Sequence, residues 1–182
     1  REHCKSASTM SRINPVAALI WSVFLLPLVA SNDDYSPSKT KAHVVVEGMV
    51  YCQKCDQFGS WSLDGARPID RAKVSVTCKN YRNQVSYYKT FQTDSKGFFY
   101  AQLDGFKMTR SIFEHPLQAC HVKLLSSPLE NCRLLSNINN GLNGAPLTFV
   151  KNIKGSHFEA ALYKVSPLAF RPTKCPHNVP IY

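Results

Sequence analysis

Six cysteines between residues 52 and 175 constrain the fold of this 182-residue chain more than any other sequence feature. They are Cys52, Cys55, Cys78, Cys120, Cys132 and Cys175. A seventh, Cys4, precedes a long apolar run that has the character of an export signal. An even number of cysteines behind such a signal indicates a disulfide framework made in the secretory pathway. Six cysteines allow fifteen pairings, and spacing alone does not choose among them.

The apolar run, PVAALIWSVFLLPLVA at 15–30, predicts a signal peptide over residues 10–31. It is short for a membrane-spanning helix, which needs about 20 apolar residues, and a cationic segment that begins at Met10 precedes it. Small residues before Asn32 suit cleavage there. We interpret residues 1–9 as a leader artefact of an overextended gene model. A buried N-terminal helix and a type II membrane anchor are the alternatives.

Charge narrows the class of partner. The chain has 22 Lys and Arg against 12 Asp and Glu, a net charge of +10. Without residues 1–31, 19 basic and 11 acidic residues remain, which is +8. Outside a cell, a basic surface favours acidic polysaccharide or phospholipid headgroups over nucleic acid, although a merely solvated surface is the alternative. The candidate polyanion-binding residues are Arg67, Arg71, Lys73, Lys79, Arg82, Lys151 and Lys154.

Alternating patterns predict an all-β fold. After a flexible lead-in at 32–42, residues 43–51 are β-branched, and residues 72–78 alternate so that Val74, Val76 and Cys78 share one face. Segments 85–93 and 98–103 flank a glycine-ended turn and are expected to form a hairpin. We predict a single disulfide-bonded antiparallel β-barrel or sandwich of six to seven strands over residues 43–176, followed by a tail at 177–182.

No motif in the sequence favours catalysis, a metal or a cofactor. The pair Cys52 and Cys55 forms a C-x-x-C, but zinc would need further ligands at suitable spacing, and a thioredoxin-type centre would need an α/β pattern. Five histidines after the signal peptide are scattered, and His121 is expected on the solvent face beside Lys123. Five aromatic residues interleave with the cations, as in some sugar-binding surfaces: Trp61, Tyr81, Tyr87, Tyr88 and Phe91. Aromatic residues that alternate along a strand, however, more often belong to the core.

Several motifs resemble those of the plant pollen Ole e I and extensin-like family. They are EGMVYCQKC at 47–55, AKVSVTC at 72–78, CHVKL at 120–124, NNGLNG at 139–144 and PLAFRP at 167–172. The family usually has Asp where Gln53 stands. The later motifs resemble most the cysteine-containing (PAC) domain of proline-rich and arabinogalactan cell-wall proteins.

The resemblance implies a secreted plant cell-wall protein without catalytic residues, and a disulfide-bonded β fold. It implies the pairs Cys52–Cys132, Cys55–Cys175 and Cys78–Cys120. It also implies association with acidic (pectic) or galactan polysaccharide and with wall glycoproteins. The alternative is a secreted signalling ligand for a cell-surface receptor in pollen-tube or tissue growth. Neither function involves nucleic acid, nor a membrane once the signal is removed.

The processing of the N-terminus is testable. Because the cationic start, the apolar core and the cleavage residues are complete without residues 1–9, we expect the exported protein to begin near Asn32. N-terminal sequencing of the secreted form checks this. Recovery of an exported chain that retains Arg1 and Cys4 would contradict it.

Overall fold

Strands dominate the computed structural model, which describes residues 42–107, 115–156 and 158–176. In chain order the elements are β1 (Ala42–Cys52), β2 (Arg67–Pro68), β3 (Lys73–Lys79), β4 (Val85–Gln92), β5 (Phe98–Gln102), α1 (Pro116–Ala119), β6 (Cys120–Ser126), β7 (Leu134–Leu135), β8 (Ala145–Pro146), β9 (Thr148–Lys154), β10 (Glu159–Lys164) and β11 (Leu168–Arg171). The expected leader, signal peptide and C-terminal tail, and the lead-in up to residue 41, lie outside the described residues. In the described ranges, no helix has the length and apolarity to span a membrane.

The first sheet is built around β1. Along one edge β1 pairs in parallel with β10 and then with β11, and along the other it pairs antiparallel with β5 and β2. β9 and β7 extend the sheet at β10 and β11. The prediction of purely antiparallel strands is therefore wrong for β1. Its parallel partners come from the far end of the chain, after the whole second sheet has intervened, and local sequence patterns carry no signal for such pairing.

Gly48 allows β1 to pack closely where its partners change. The pairing with β10 ends at Glu47 and the pairing with β11 begins at Val50. A Cβ atom at Gly48 would lie 2.7 Å from the ring of Phe99 and 2.6 Å from Val165 Cγ2. Only glycine permits this approach without displacing two side chains of the core.

The second sheet is antiparallel, with the order β4-β3-β6-β8. Val74, Val76 and Cys78 of β3 are all fully buried, which confirms the period-two prediction for their shared face. Ser75 points to the other face but is only 2% exposed, and its partners there are Thr90 on β4 and Lys123 on β6.

The turn between β4 and β5 forms as predicted, but the hairpin does not. The carboxylate of Asp94 accepts hydrogen bonds from the backbone N–H groups of Lys96 and Phe98, both at 2.9 Å, and Gly97 has a φ of 73°. The chain then leaves the second sheet, because β4 pairs with β3 whereas β5 pairs with β1. The turn is therefore a corner between sheets.

The two sheets form a sandwich and not a closed barrel. Val46 and Phe99 of the first sheet pack in one core with Val76 and Val122 of the second, and each is at most 1% exposed. Seven strands of the described residues are five residues or longer, and four are shorter. This all-β, disulfide-bonded sandwich is one of the two architectures that the sequence predicts.

Three disulfides join Cys52 to Cys132, Cys55 to Cys175 and Cys78 to Cys120. These are the pairs that the family resemblance implies. Cys78 and Cys120 lie opposite each other on β3 and β6, within the second sheet. The two cysteines of the C-x-x-C fix the end of β1 to two distant parts of the chain.

Gln53 organises the loop that follows β1. Its side chain is almost fully buried, and its Nε2 donates to the carbonyl oxygens of Ser60 at 3.1 Å and Ser62 at 2.9 Å. Its Oε1 accepts from Nε of Arg171 at 3.1 Å, while Nη2 of Arg171 donates to the Ser60 carbonyl oxygen at 3.0 Å. A neutral amide can both donate to two carbonyls and accept from the guanidinium, which an aspartate could not do.

The disulfide framework predicts strongly coupled cysteine substitutions. Cys52–Cys132 closes a separation of 80 residues, for which chain entropy contributes about 4.5 kcal/mol. A domain has about 5–15 kcal/mol in total. We expect Cys52→Ser to lower the melting temperature by about 10 °C or more.

The matched control is a comparison of double variants. Cys52→Ser with Cys132→Ser should destabilise little more than either substitution alone, because both remove the same bond. Cys52→Ser with Cys120→Ser should be close to additive, because it removes two bonds. Additive effects in the first double variant, measured by thermal unfolding, would contradict the pairing.

Candidate functional site

The seven cations proposed from the sequence do not form one patch. Arg67 lies on β2, Arg71 and Lys73 at the start of β3, Lys79 and Arg82 at its end, and Lys151 and Lys154 on β9 of the other sheet. Two of them face a carboxylate: Arg71 lies 3.4 Å from Asp70, and Lys154 lies 3.3 Å from Glu159. Lys73 and Lys79 share a strand but stand about 20 Å apart. Only Lys79 and Arg82 adjoin a common concave feature.

That feature is a trough on the outer face of the second sheet, which we call the β3 trough. Its floor is formed by the small side chains of Ser75 and Thr77 on the central strand β3. Its walls are Tyr88 on β4, and His121, Lys123 and Leu125 on β6. Thr77 has a large side chain on both neighbouring strands, whereas Ser75 has a large one, Lys123, only on β6. Because these side chains all stand on the same face of the sheet, they leave a depression along the central strand.

Strand register fixes which groups face each other across the floor. Thr77 lies opposite Tyr88 on one side and His121 on the other, so these three form one row. Ser75 lies opposite Lys123, one row along. With neighbouring strands about 4.8 Å apart, the walls are separated by about 10 Å at the backbone. The volume of the trough is about 800 Å³.

The turn between β3 and β4 closes one end of the trough. The side-chain oxygen of Asn80 accepts hydrogen bonds from the backbone N–H groups of Arg82 and Gln84, both at 3.0 Å, and Asn83 takes a positive φ of 62°. This compact turn presents Tyr81 at the end of the trough, 64% exposed, with the Arg82 guanidinium carbon 5.2 Å from the ring centre.

The electrostatic character of the trough is positive. Among the described residues that line it, Lys79, His121 and Lys123 are basic and none is Asp or Glu. Burial, followed by the ammonium groups of Lys79 and Lys123, lowers the pKa of His121 from its usual 6.5. The two ammonium groups are the smaller cause, and their part of the shift reflects a positive potential at the imidazole.

The remaining lining groups suit hydrogen bonding to a polar ligand. Asn80, Asn83, Gln118 and Asn143 supply amides that both donate and accept. Hydrolysis by paired carboxylates has no acids to use in this lining. The described residues contain no cluster of three His, Cys, Asp or Glu side chains that could hold a metal ion. The arrangement is therefore suited to binding an anionic, hydroxyl-rich molecule.

Sequence reasoning identified some of these residues and missed others. Tyr87 and Phe91 pack against the core, as alternation predicted, whereas Tyr81 and Tyr88 are 64% and 58% exposed. His121 and Lys123 share the outer face of β6 as expected. Ser75, Thr77 and Lys123 were not proposed as site residues. Their signal was the run of small polar residues alternating with buried valines, which marks a central strand with an open outer face.

The chain is similar in sequence to plant arabinogalactan and extensin-like proteins. No protein-family profile matches the chain. Non-classical arabinogalactan protein 30 of Arabidopsis thaliana is 32% identical over 141 residues, which is 75% of this chain and 55% of that protein. The pistil-specific extensin-like protein of Nicotiana tabacum is 31% identical over 103 residues, 57% of this chain and 22% of that protein. The chain thus spans about half or less of these two relatives.

A solved structure shares the fold. The major plantain pollen allergen Pla l 1 superposes with a TM-score of 0.52 and 22% identity, over 74% of this chain and 98% of the allergen. The resemblance seen in the motifs is therefore confirmed: the chain is a homologue of plant arabinogalactan and extensin-like proteins and has the fold of an Ole e I-type pollen allergen.

Proposed function

We propose that this chain is a secreted, non-enzymatic plant cell-wall protein that associates with acidic wall polysaccharide. The relatives include proteins named for arabinogalactan and for extensin, which supports a place in the wall. Three disulfides support folding in the secretory pathway, since such bonds persist in oxidising compartments.

The observation that carries the proposal is the carboxylate-free, basic lining of the β3 trough. Without residues 1–31 the chain has 19 basic and 11 acidic residues, an excess that attracts polyanions. The trough adds hydrogen-bonding amides and exposed tyrosine rings to that attraction. De-esterified pectin presents closely spaced carboxylates, so it matches both features.

Two further partners belong to the same proposal. Galactan would use the tyrosines and amides without the cations, and wall glycoproteins would present both neutral and acidic sugars. The signalling-ligand alternative involves a receptor rather than a glycan. If the protein binds neither acidic nor neutral wall polysaccharide, that result would favour the signalling alternative.

Salt dependence tests the electrostatic basis of the association. Attraction between exposed charges is screened over about 8 Å at physiological salt and about 3 Å at 1 M. We expect retention on immobilised polygalacturonate to fall sharply with added salt, and any retention on neutral galactan to stay constant. Reversal of Arg67, Arg71 and Lys73 together should weaken the first retention only modestly, because none of these residues lines the trough. Equal retention on polygalacturonate at low and high salt would rule out charge as its basis.

The pH dependence follows from His121. Burial, and after it the ammonium groups of Lys79 on β3 and Lys123 on β6, lower its pKa from the usual 6.5. The residues opposite His121 on the neighbouring strands, Thr77 and Pro146, are uncharged. A bound carboxylate would raise that pKa again, so binding takes up a proton and tightens as the pH falls from about 7.5 to about 5. We expect about a two- to fivefold gain, the range of one exposed ion pair.

His121→Gln provides the control for this pH dependence. It keeps a polar side chain without a titrating group, so its affinity for polygalacturonate should stay nearly flat over the same range. Uronate carboxylates remain ionised there, since α-carboxyl groups titrate at about 3.5. An unchanged pH profile in His121→Gln, measured by calorimetry, would exclude His121 as the titrating group.

A further inference from the structure

We infer that the β3 trough is a length-limited site for about three consecutive unesterified uronate units, bound along β3. This inference rests on the proposed function and goes further, since it assigns the site, the length of the ligand and the need for free carboxylates. Three observations support it: the register of β3, β4 and β6, the length of the trough floor, and the position of the Tyr88 ring and the Lys123 ammonium on opposite walls.

The two walls offer different chemistry to one sugar chain. On the β4 wall, Tyr88 presents a ring that is 58% exposed. On the β6 wall, His121 and Lys123 follow each other along the strand on the same face. A pyranose ring has an apolar C–H face that packs on an aromatic ring and an edge that carries polar groups. A sugar chain in the trough therefore places ring faces toward Tyr88 and carboxylates toward the imidazole of His121 and the ammonium of Lys123.

The floor sets the length. From Ser75 to Lys79 the strand rises about 13 Å, which accommodates about three sugar units in line. At one end of the trough stand Lys79 and the turn that carries Tyr81. At the other end, Leu125 is the last residue of β6 in the lining. Walls about 10 Å apart at the backbone leave room for one chain and not for two side by side.

Lys79 and Lys123 are the reason why the ligand needs unesterified carboxylates. Lys79 and Lys123 stand on different strands and different rows of the floor, so they contact different units of one bound chain. Neither ammonium is in a salt bridge among the described residues. Methyl esterification removes the negative charge that each would pair with, and leaves only weaker contacts to neutral oxygen atoms.

Calorimetry with short galacturonate oligomers tests the length limit. Affinity should rise from the monomer to the trimer and then by no more than about fourfold up to the hexamer, because a hexamer offers a three-unit site four alternative registers and no further contact. General attraction to the basic surface predicts a steady rise with every added charge. A rise from trimer to hexamer well beyond this statistical factor would therefore overturn the inference. The fully methyl-esterified trimer and a neutral galactose trimer should bind at least about tenfold more weakly than the acid trimer, the combined worth of two such pairs.

Charge-matched variants test the assignment to the trough. We expect Lys79→Gln with Lys123→Gln to weaken trimer binding about tenfold, from two exposed ion pairs at about two- to fivefold each. The control removes the same charge elsewhere, through Lys96→Gln in the β4–β5 turn and Lys164→Gln on β10, both exposed. It should weaken binding by less than about twofold. Tyr88→Ala should cost about two- to tenfold, in the range of an aromatic contact.

The outcomes separate this inference from the proposed function. If the control and the trough variants weaken trimer binding equally, the site is not the trough, although salt-sensitive retention on polygalacturonate would leave the proposed function standing. If the parent chain shows no such retention, both fail. Because all the substituted side chains are exposed, we expect the melting temperatures of the variants to match that of the parent. An unchanged melting temperature then shows that weaker binding does not result from unfolding.

Discussion

The pairing of β1 on both edges is the interaction on which the rest of the structure depends. Four strands hydrogen-bond to this one segment, two of them in parallel. Both of its faces are also covered, since Val44 and Val46 belong to the main core while Val45 packs with Ala160 and Leu162. Its C-terminal end is held by two disulfides, through Cys52 and Cys55. β1 thus joins strands from distant parts of the chain in one sheet.

This dependence explains which parts of the fold the sequence predicted. The alternation of Val74, Val76 and Cys78 reports one strand and one buried face, and both are local properties. The change of sheet after β4 is not local. Asp94 and Gly97 build the same turn whether the next strand folds back or crosses over, and the choice is made by β1, which offers β5 a free edge.

The candidate site was predictable in kind but not in place. Net charge indicated an acidic partner, yet among the seven proposed cations only Lys79 lines the trough. A surface site made by three strands depends on register, and register depends on long-range pairing that composition does not encode. Ser75 and Thr77 illustrate the difficulty, because two small polar residues in a strand gain significance only once Tyr88, His121 and Lys123 are known to flank them.

The core beneath the trough determines how well the site is organised for binding. Cys78 and Cys120 are bonded on the inner face, and they adjoin Thr77 and His121, which stand on the outer face of the same two strands. The disulfide therefore fixes the floor relative to the β6 wall and limits sliding between the two strands. Gly144 adds a constraint, since a Cβ there would lie 3.1 Å from Cβ of His121 and press on that wall. A site whose backbone is already fixed loses little conformational freedom on binding, so more of the contact energy appears as affinity.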